Sequence, residues 1–432
     1  MEKKKGSEIF FGWWTVLASG LLCLWGFGYY SYGISALFKP IASDLGFNRA
    51  NTSIAAGIGR FEGGFEALFA GWITDRFGPK WIVFCGILVA SISLSCMYFI
   101  NSYWSFLVVW GVLFGTGINV ALAIPLDTAI TNWFVKKRGV ALSIKWMFSG
   151  ISGVIILPLI AWLITMVGWR SSCIIGGLVF GVVGLPLVLF LLKSHRPEYY
   201  GLLPDGVKVE EETADQSTLI NRGIEYAAEV QEMEFTLKQA MKTPAFWLLI
   251  LVQAVYGLVA PAINVHCIPF LTDQGISPLT AASMMALMIG ASIPARYVGG
   301  FIADRIEIGQ MRKFLALAYW MQTLGMGLYM LHQTKFMIFV WFILYGFGMG
   351  VGITLNTSVR ARYFGRKAFG TIQGTASLFL TPVGVAAPIY AGWVFDTTGS
   401  YISAFWLFTV LLAVSSAILP FVRPPKPPEV TG

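Results

Sequence analysis

Charge is scarce in this chain. Of its 432 residues only 12% are Asp, Glu, Lys or Arg, whereas 56% are hydrophobic. A water-soluble chain of this length carries about twice that charged fraction, so a soluble globular domain is excluded. Histidine occurs three times (His195, His266, His332), without metal-ligand spacing. The five cysteines (Cys23, Cys85, Cys96, Cys173, Cys267) all fall in apolar runs with no paired spacing, which supports neither a disulfide framework nor a zinc site. A nucleophile elbow is also missing, so nothing points to an enzyme or to a cofactor. Acidic residues number 22 against 30 basic ones. In so apolar a chain the resulting net charge of +8 reads as membrane topology, not as a nucleic-acid footprint.

What the chain does have is long apolar runs, and about 20 such residues span a bilayer as a helix. Breaks at charged or turn-rich stretches divide it into twelve expected spans. They lie near 14–38, 50–74, 81–100, 104–131, 138–166 and 170–193, then 244–272, 278–304, 312–331, 335–361, 367–396 and 400–422. The basic start "MEKKKGSEIFFGWW" runs into the first of these without a small-residue cleavage site and reads as a retained helix, not a removable signal. A polar connection over 194–243 separates two halves, 1–193 and 244–423, and 424–432 forms a short tail. Four Lys or Arg fall in outer loops (Lys39, Arg49, Arg170, Lys335) and three inside spans (Arg60, Lys145, Arg296). The rest crowd into inner segments such as "VKKRG" (135–139) and "RKAFG" (366–370). By the positive-inside bias both termini, the central loop and the tail are cytoplasmic, in a plasma (inner) membrane protein.

The halves repeat. "PIASDLGF" (40–47) matches "PFLTDQGI" (269–276), and "GWITDR" (71–76) matches "GFIADR" (300–305); paired residues such as Asp75 and Asp304 lie 229 positions apart. "WFVKKRG" (133–139) lines up with "YFGRKAFG" (363–370) at nearly the same shift. A constant offset of this kind implies a duplicated six-helix unit, with solute bound between the halves near the bilayer midplane.

The stretch "GWITDRFGPK" (71–80), its echo at 300–305, the twelve spans and the central loop resemble the major facilitator superfamily. Within it the chain is similar to the monocarboxylate porters and the oxalate–formate exchangers, on "GFGYYS" in span 1, "NWFVKKRGVA" entering span 5 and "ARYVGGFIAD" in span 8. The resemblance implies an all-α polytopic fold of two pseudo-symmetric six-helix bundles and a monomeric functional unit. It also implies that Gly71, Asp75, Arg76, Gly78 and Lys80, with Asp304 and Arg305 as the C-half copy, serve as a gate latch. The C-half "ADRIEIGQ" departs from the full motif, so the weaker latch is expected there.

Ionisable groups within spans must be paired or line a cavity. These are Arg60, Glu62, Glu66, Asp127, Lys145, Arg296 and the neutral-capable His266. Asp127 and Lys145 lie at similar depth on the hairpin of spans 4 and 5, which suits an ion pair; a substrate or proton role is the alternative. Glu62 and Glu66 share a helix face at i, i+4, so one carboxyl would hold its proton against the other's charge. Proton coupling or a partner on a neighbouring span both fit. His266 reads as a satisfied hydrogen-bonder, with a proton site or a substrate donor as the alternatives. The resemblance puts Asn119, Asn264 and Asn356, in spans 4, 7 and 10, on the central cavity, with Tyr30 of span 1 as a further candidate; bridging between helices is the alternative.

Arg296 stands apart. It lies eight residues before Asp304, roughly 12 Å from the inner face, and no acid occupies i±3 or i±4 (Ser292, Ile293, Gly299, Gly300). A guanidinium is the natural two-pronged partner of a carboxylate, and the resemblance puts the porters' substrate arginine at this position. An ion pair with Asp127 or Glu66 is the competing reading. The family's acid one turn earlier is Ser292 here, the span-1 lysine is Gly33, and the exchangers' span-11 lysine is Gln373. The expectation is therefore a secondary transporter of small monocarboxylates, coupled by proton symport or anion exchange. The alternatives are a different solute or a non-transporting carboxylate sensor.

Overall fold

The computed structural model describes residues 9–46, 49–207, 216–229 and 234–426. The basic start at residues 3–5, the tail from 427 and the side chain of Arg60 lie outside the described residues. Twelve membrane-length helices follow in chain order. α1 comprises Phe11–Phe27, a π-helical stretch Gly28–Gly33, and Ile34–Leu45. α2 is Arg49–Phe77, α3 Pro79–Phe99 and α4 Tyr103–Trp133. α5 and α6 are the two legs of Arg138–Leu191, parted at Gly168, whose φ of 79° and ψ of 161° only glycine adopts without strain. The second half holds α7 (Pro244–Asp273), α8 (Pro278–Arg305), α9 (Met311–Leu331), α10 (Lys335–Phe364), α11 (Phe369–Thr398) and α12 (Ile402–Phe421).

Local sequence explains the ends. Thr243, Ser277 and Thr334 accept hydrogen bonds from the third residue of α7, α8 and α10, and proline follows the first two caps at N1. α1 runs about two turns beyond the expected 38, to Leu45, and closes on Gly46 in the left-handed region. α2, expected over 50–74, lies between the halves and packs along α11. α4 kinks at Ala123, just ahead of Pro125.

Each half has its own apolar core. Leu22, Ile87, Trp110, Ile118 and Phe180 are buried in the first, and Ile263, Phe270, Trp341, Phe342 and Phe405 in the second. The halves meet mainly through α2 against α11 and α5 against α8. Both seams need backbone-to-backbone approach. A Cβ at Gly71 would strike the Gly370 carbonyl, and one at Gly300 would strike the Gly139 carbonyl, so the small residues permit the contact.

Candidate functional site

On the face carrying the "VKKRG" and "RKAFG" loops, the basic face, the duplicated motif forms two matching clamps. The Asp75 carboxylate, from the end of α2, accepts from the Gly370 N–H (3.0 Å), the Thr371 N–H (2.7 Å) and the Thr371 hydroxyl (2.6 Å). Asp304, from the end of α8, accepts from the Gly139 (2.5 Å) and Val140 (2.8 Å) N–H groups. Each carboxylate thus caps the first turn of a helix in the opposite half, α11 or α5, where unsatisfied N–H groups and the helix dipole favour negative charge. The C-half clamp repeats the two backbone contacts and lacks the third, which the Thr371 hydroxyl adds at Asp75.

Arg76 and Arg305 do not reach across. Arg76 lies against Trp72 and Phe77, and Arg305 sits 3.4 Å over Phe301. Lys80 donates to the Leu189 carbonyl (2.7 Å), and Gly78, at φ 82°, lets Ser194 press against it.

Residues after α6 reinforce this face. Asp205 accepts from the N–H groups of Val135 (3.1 Å), Lys136 (2.7 Å) and Lys137 (3.0 Å). Glu198 pairs with Arg366 of the second half at 3.5 Å, both buried. Arg138 donates to the Ala361 carbonyl (3.1 Å) and Arg366 to that of Asn132 (3.2 Å). A polar cavity of about 200 Å³ lies here, lined by Asp75, Arg76, Asn132, Arg196, Glu198 and Arg366 among others.

Farther into the membrane lies Arg296, 4% exposed. Its Nη1 donates to the carbonyl of Trp146 on α5, and its guanidinium lies near the Tyr32 hydroxyl on α1. Tyr256 of α7 is close enough to interact electrostatically, and the guanidinium packs beside Gly150. Its Nε has no hydrogen-bond partner, and among the described residues no acidic group pairs with it. Thr354 fixes the helix from behind by donating to the Arg296 carbonyl (3.0 Å). Aromatic faces surround the group: Phe27 stacks on Trp146 at 6.2 Å and Tyr256 on Tyr319 at 5.8 Å.

The carboxylates offered as rival partners are engaged elsewhere. Asp127 binds Lys145 Nζ at 3.0 Å, and the ammonium, fully buried, also lies 3.8 Å from the Trp146 ring centre. The pair therefore borders Arg296 through Trp146. Glu66 accepts from the Thr116 hydroxyl and from Asn119 Nδ2 (3.1 Å). Glu62, half-buried, has one unpartnered carboxylate oxygen and feels the charge of Glu66.

The remaining sequence-chosen residues scatter. Asn356 donates to the Tyr319 hydroxyl (3.0 Å), at the edge of the aromatic group. Tyr30 turns into the first half against Phe114. His266 engages the Pro388 carbonyl (2.8 Å) and the Tyr401 hydroxyl (3.3 Å), about 15 Å along α7 from Tyr256. Asn264 is exposed.

Three residues escaped the sequence reading. Tyr32 follows Tyr29 and Tyr30 in "GYYSYG", and the π-helical winding that aims it at Arg296 leaves no periodicity to read. Tyr256 looks like any core aromatic. Arg360 counted as inner-loop charge but is 5% exposed. The available signal was its spacing from Arg362: residues two apart on a helix point in different directions, and Arg362 is the one that caps α8, at Ala303 and Ile306.

A helical membrane protein whose duplicated halves are clamped along one face and meet at a polar, aromatic-lined centre has the build of a secondary transporter. The chain belongs to the Major Facilitator Superfamily, whose family model matches residues 20–381. An uncharacterised MFS-type transporter of Bacillus subtilis, YcxA, is 22% identical over 96% of this chain and 97% of its own length. Monocarboxylate transporter 12-B of Danio rerio is 27% identical over 80% of this chain and 73% of its own. Among solved structures, the proton:xylose symporter XylE superposes with a TM-score of 0.72 at 11% identity, covering 94% of both chains. At that identity the likeness is one of fold.

Proposed function

We propose that this chain carries small organic anions, monocarboxylates first, across the plasma membrane by alternating access, and that it is not an enzyme. The observation that carries the reading is Arg296: a buried guanidinium bonded to a carbonyl and set beside an aromatic hydroxyl, with no carboxylate of the described chain opposite it. A buried cation without an anion is costly, and a substrate carboxylate is the anion that arrives from outside. The kinship with monocarboxylate transporters supports the same substrate class.

In this reading the units 1–193 and 244–423 rock about the site, with 194–243 as a cytoplasmic linker and both termini, including the tail from 424, inside. The clamped basic face is then the cytoplasmic gate, closed. One bound carboxylate per turnover fits one uncompensated arginine. Glu62 and Glu66 are the pair that would take a coupling proton; anion exchange needs none. A single protomer suffices, since each half of the site comes from the same chain.

The test is uptake of labelled L-lactate, pyruvate, oxalate and D-glucarate into proteoliposomes at two pH values. Arg296→Lys keeps the charge but loses the planar fork, so carboxylate uptake should fall at least about tenfold, roughly 1.4 kcal/mol. Unchanged carboxylate uptake in that variant refutes the site. Saturable binding without counterflow would identify a sensor instead.

A further inference from the structure

Arg360 stands apart from the groups gathered at Arg296. It lies on α10, six residues nearer the basic face than Thr354, whose hydroxyl bonds the Arg296 carbonyl. That displacement is about 9 Å along the helix. Arg360 is buried, and its Nε makes no hydrogen bond among the described residues. Its opposite charge is Asp127, which belongs to the other half of the molecule, on α4. Arg138 of that half bonds the carbonyl of Ala361, the next residue, so Arg360 sits on the seam itself.

Asp127 is already held at 3.0 Å by Lys145, a neighbour in its own half. One carboxylate therefore faces two cations, and the two claims on it are unequal. Lys145 has the short contact and moves with Asp127. Arg360 has only a longer-range attraction across a boundary that must part when the basic face opens. On opening, Lys145 keeps the acid and Arg360 leaves with the second half. Its guanidinium then faces the new vestibule with its donors unspent, one short step from Arg296.

We propose that Arg360 is a second anion-binding station, receiving the small organic carboxylate on the cytoplasmic side of its path to and from Arg296. The proposal rests on the reading of Arg296 as the carboxylate site and adds a direction to it. Arg360 is exposed to solute from one side only, so its contribution is confined to the cytoplasmic approach. The planar fork suits a carboxylate at this point as it does at Arg296.

The experiment compares apparent KM from the two sides, in right-side-out and inside-out vesicles, using the labelled carboxylate carried fastest in the panel above. Arg360→Gln should raise the cytoplasmic-side KM about tenfold or more and leave the external-side KM within twofold. Equal changes on both sides, or a fall in maximal rate with both KM values unchanged, overturn the proposal in favour of a gate contact. If Arg360→Gln does not reach the membrane, the same ratio is read in Arg360→Lys. There a rise of about threefold on the cytoplasmic side alone supports the station, and an unchanged ratio overturns it. Arg296→Lys affects both sides, so failure of the parent reading is distinguishable: it leaves Arg296→Lys transport intact whatever Arg360 does.

Discussion

Neutralising Asp75 isolates what the clamp contributes. In Asp75→Asn the side chain stays nearly isosteric and keeps one carbonyl oxygen for α11, but it loses its charge and one acceptor. The native carboxylate takes three hydrogen bonds, from Gly370 N–H, Thr371 N–H and the Thr371 hydroxyl, at 2.6 to 3.0 Å. Hydrogen bonds to a charged group contribute about 1.5–3 kcal/mol each, and charge at a partly buried helix N-terminus adds up to about 2 kcal/mol. Asn preserves part of this and the dipole interaction vanishes, so a net loss of about 2 kcal/mol is expected. All of that loss falls on the closed state, because the clamp joins opposite halves and is absent when they part. By the ratio of about tenfold per 1.4 kcal/mol, the open population of the basic face should rise roughly 30-fold.

The readout is alkylation of a buried gate residue. Thr128 is 2% exposed and lies against Gly370 at the clamp. In a Cys85→Ser, Cys96→Ser background, which removes the two cysteines that are not fully buried, Thr128→Cys reports opening through its rate with a membrane-impermeant maleimide in inside-out vesicles. Asp304→Asn should also accelerate labelling, by a smaller factor, because Asp304 takes two hydrogen bonds, from Gly139 and Val140, where Asp75 takes three. A change of less than about threefold in Asp75→Asn would mean that the clamp does not hold the closed state, and the argument from its geometry would fail.

Two further outcomes follow from the seams and the buried pair. Gly300→Val places a branched side chain against the Gly139 carbonyl and Ser143; closure of the basic face should be blocked, with labelling at Thr128→Cys far faster than wild type and transport lost. Lys145→Met leaves Asp127 buried without its 3.0 Å partner, and breaking such a pair costs about 3–5 kcal/mol. Thermal stability in detergent should fall sharply, and the double variant Asp127→Asn, Lys145→Met should recover most of it; no recovery would mean that the pair acts through something other than charge compensation.

Much of this was legible in the residue order. Apolar run length marks the helices because a bilayer leaves a backbone no partner but itself, and the 229-residue offset announces the duplicated halves. Asp75 and Asp304 could be paired by subtraction alone. Arg296 could be singled out because the test applied to it, acids at i±3 and i±4, is local to one helix. The partners of these groups were not legible. Asp75 was expected in a gate latch, and which helix it caps depends on how α2 and α11 lie side by side. Tyr32 escaped because a π-helical segment shifts the facing of every residue after it. Arg360 escaped because a charge three or four residues from a helix end looks the same in sequence whether it turns to water or into the seam.

By itself, then, the sequence determined that this is a twelve-span membrane protein of duplicated halves with a buried cation in span 8. Hydrophobicity and periodicity are properties of single segments, and they add along the chain. Tertiary structure alone decided that the cation is ringed by Tyr32, Tyr256 and Trp146, that Arg360 looks across the seam towards Asp127, and that each motif aspartate closes the opposite half. Those outcomes depend on which helix faces which. That is fixed by packing between segments hundreds of residues apart, about which the order of residues within any one segment says nothing.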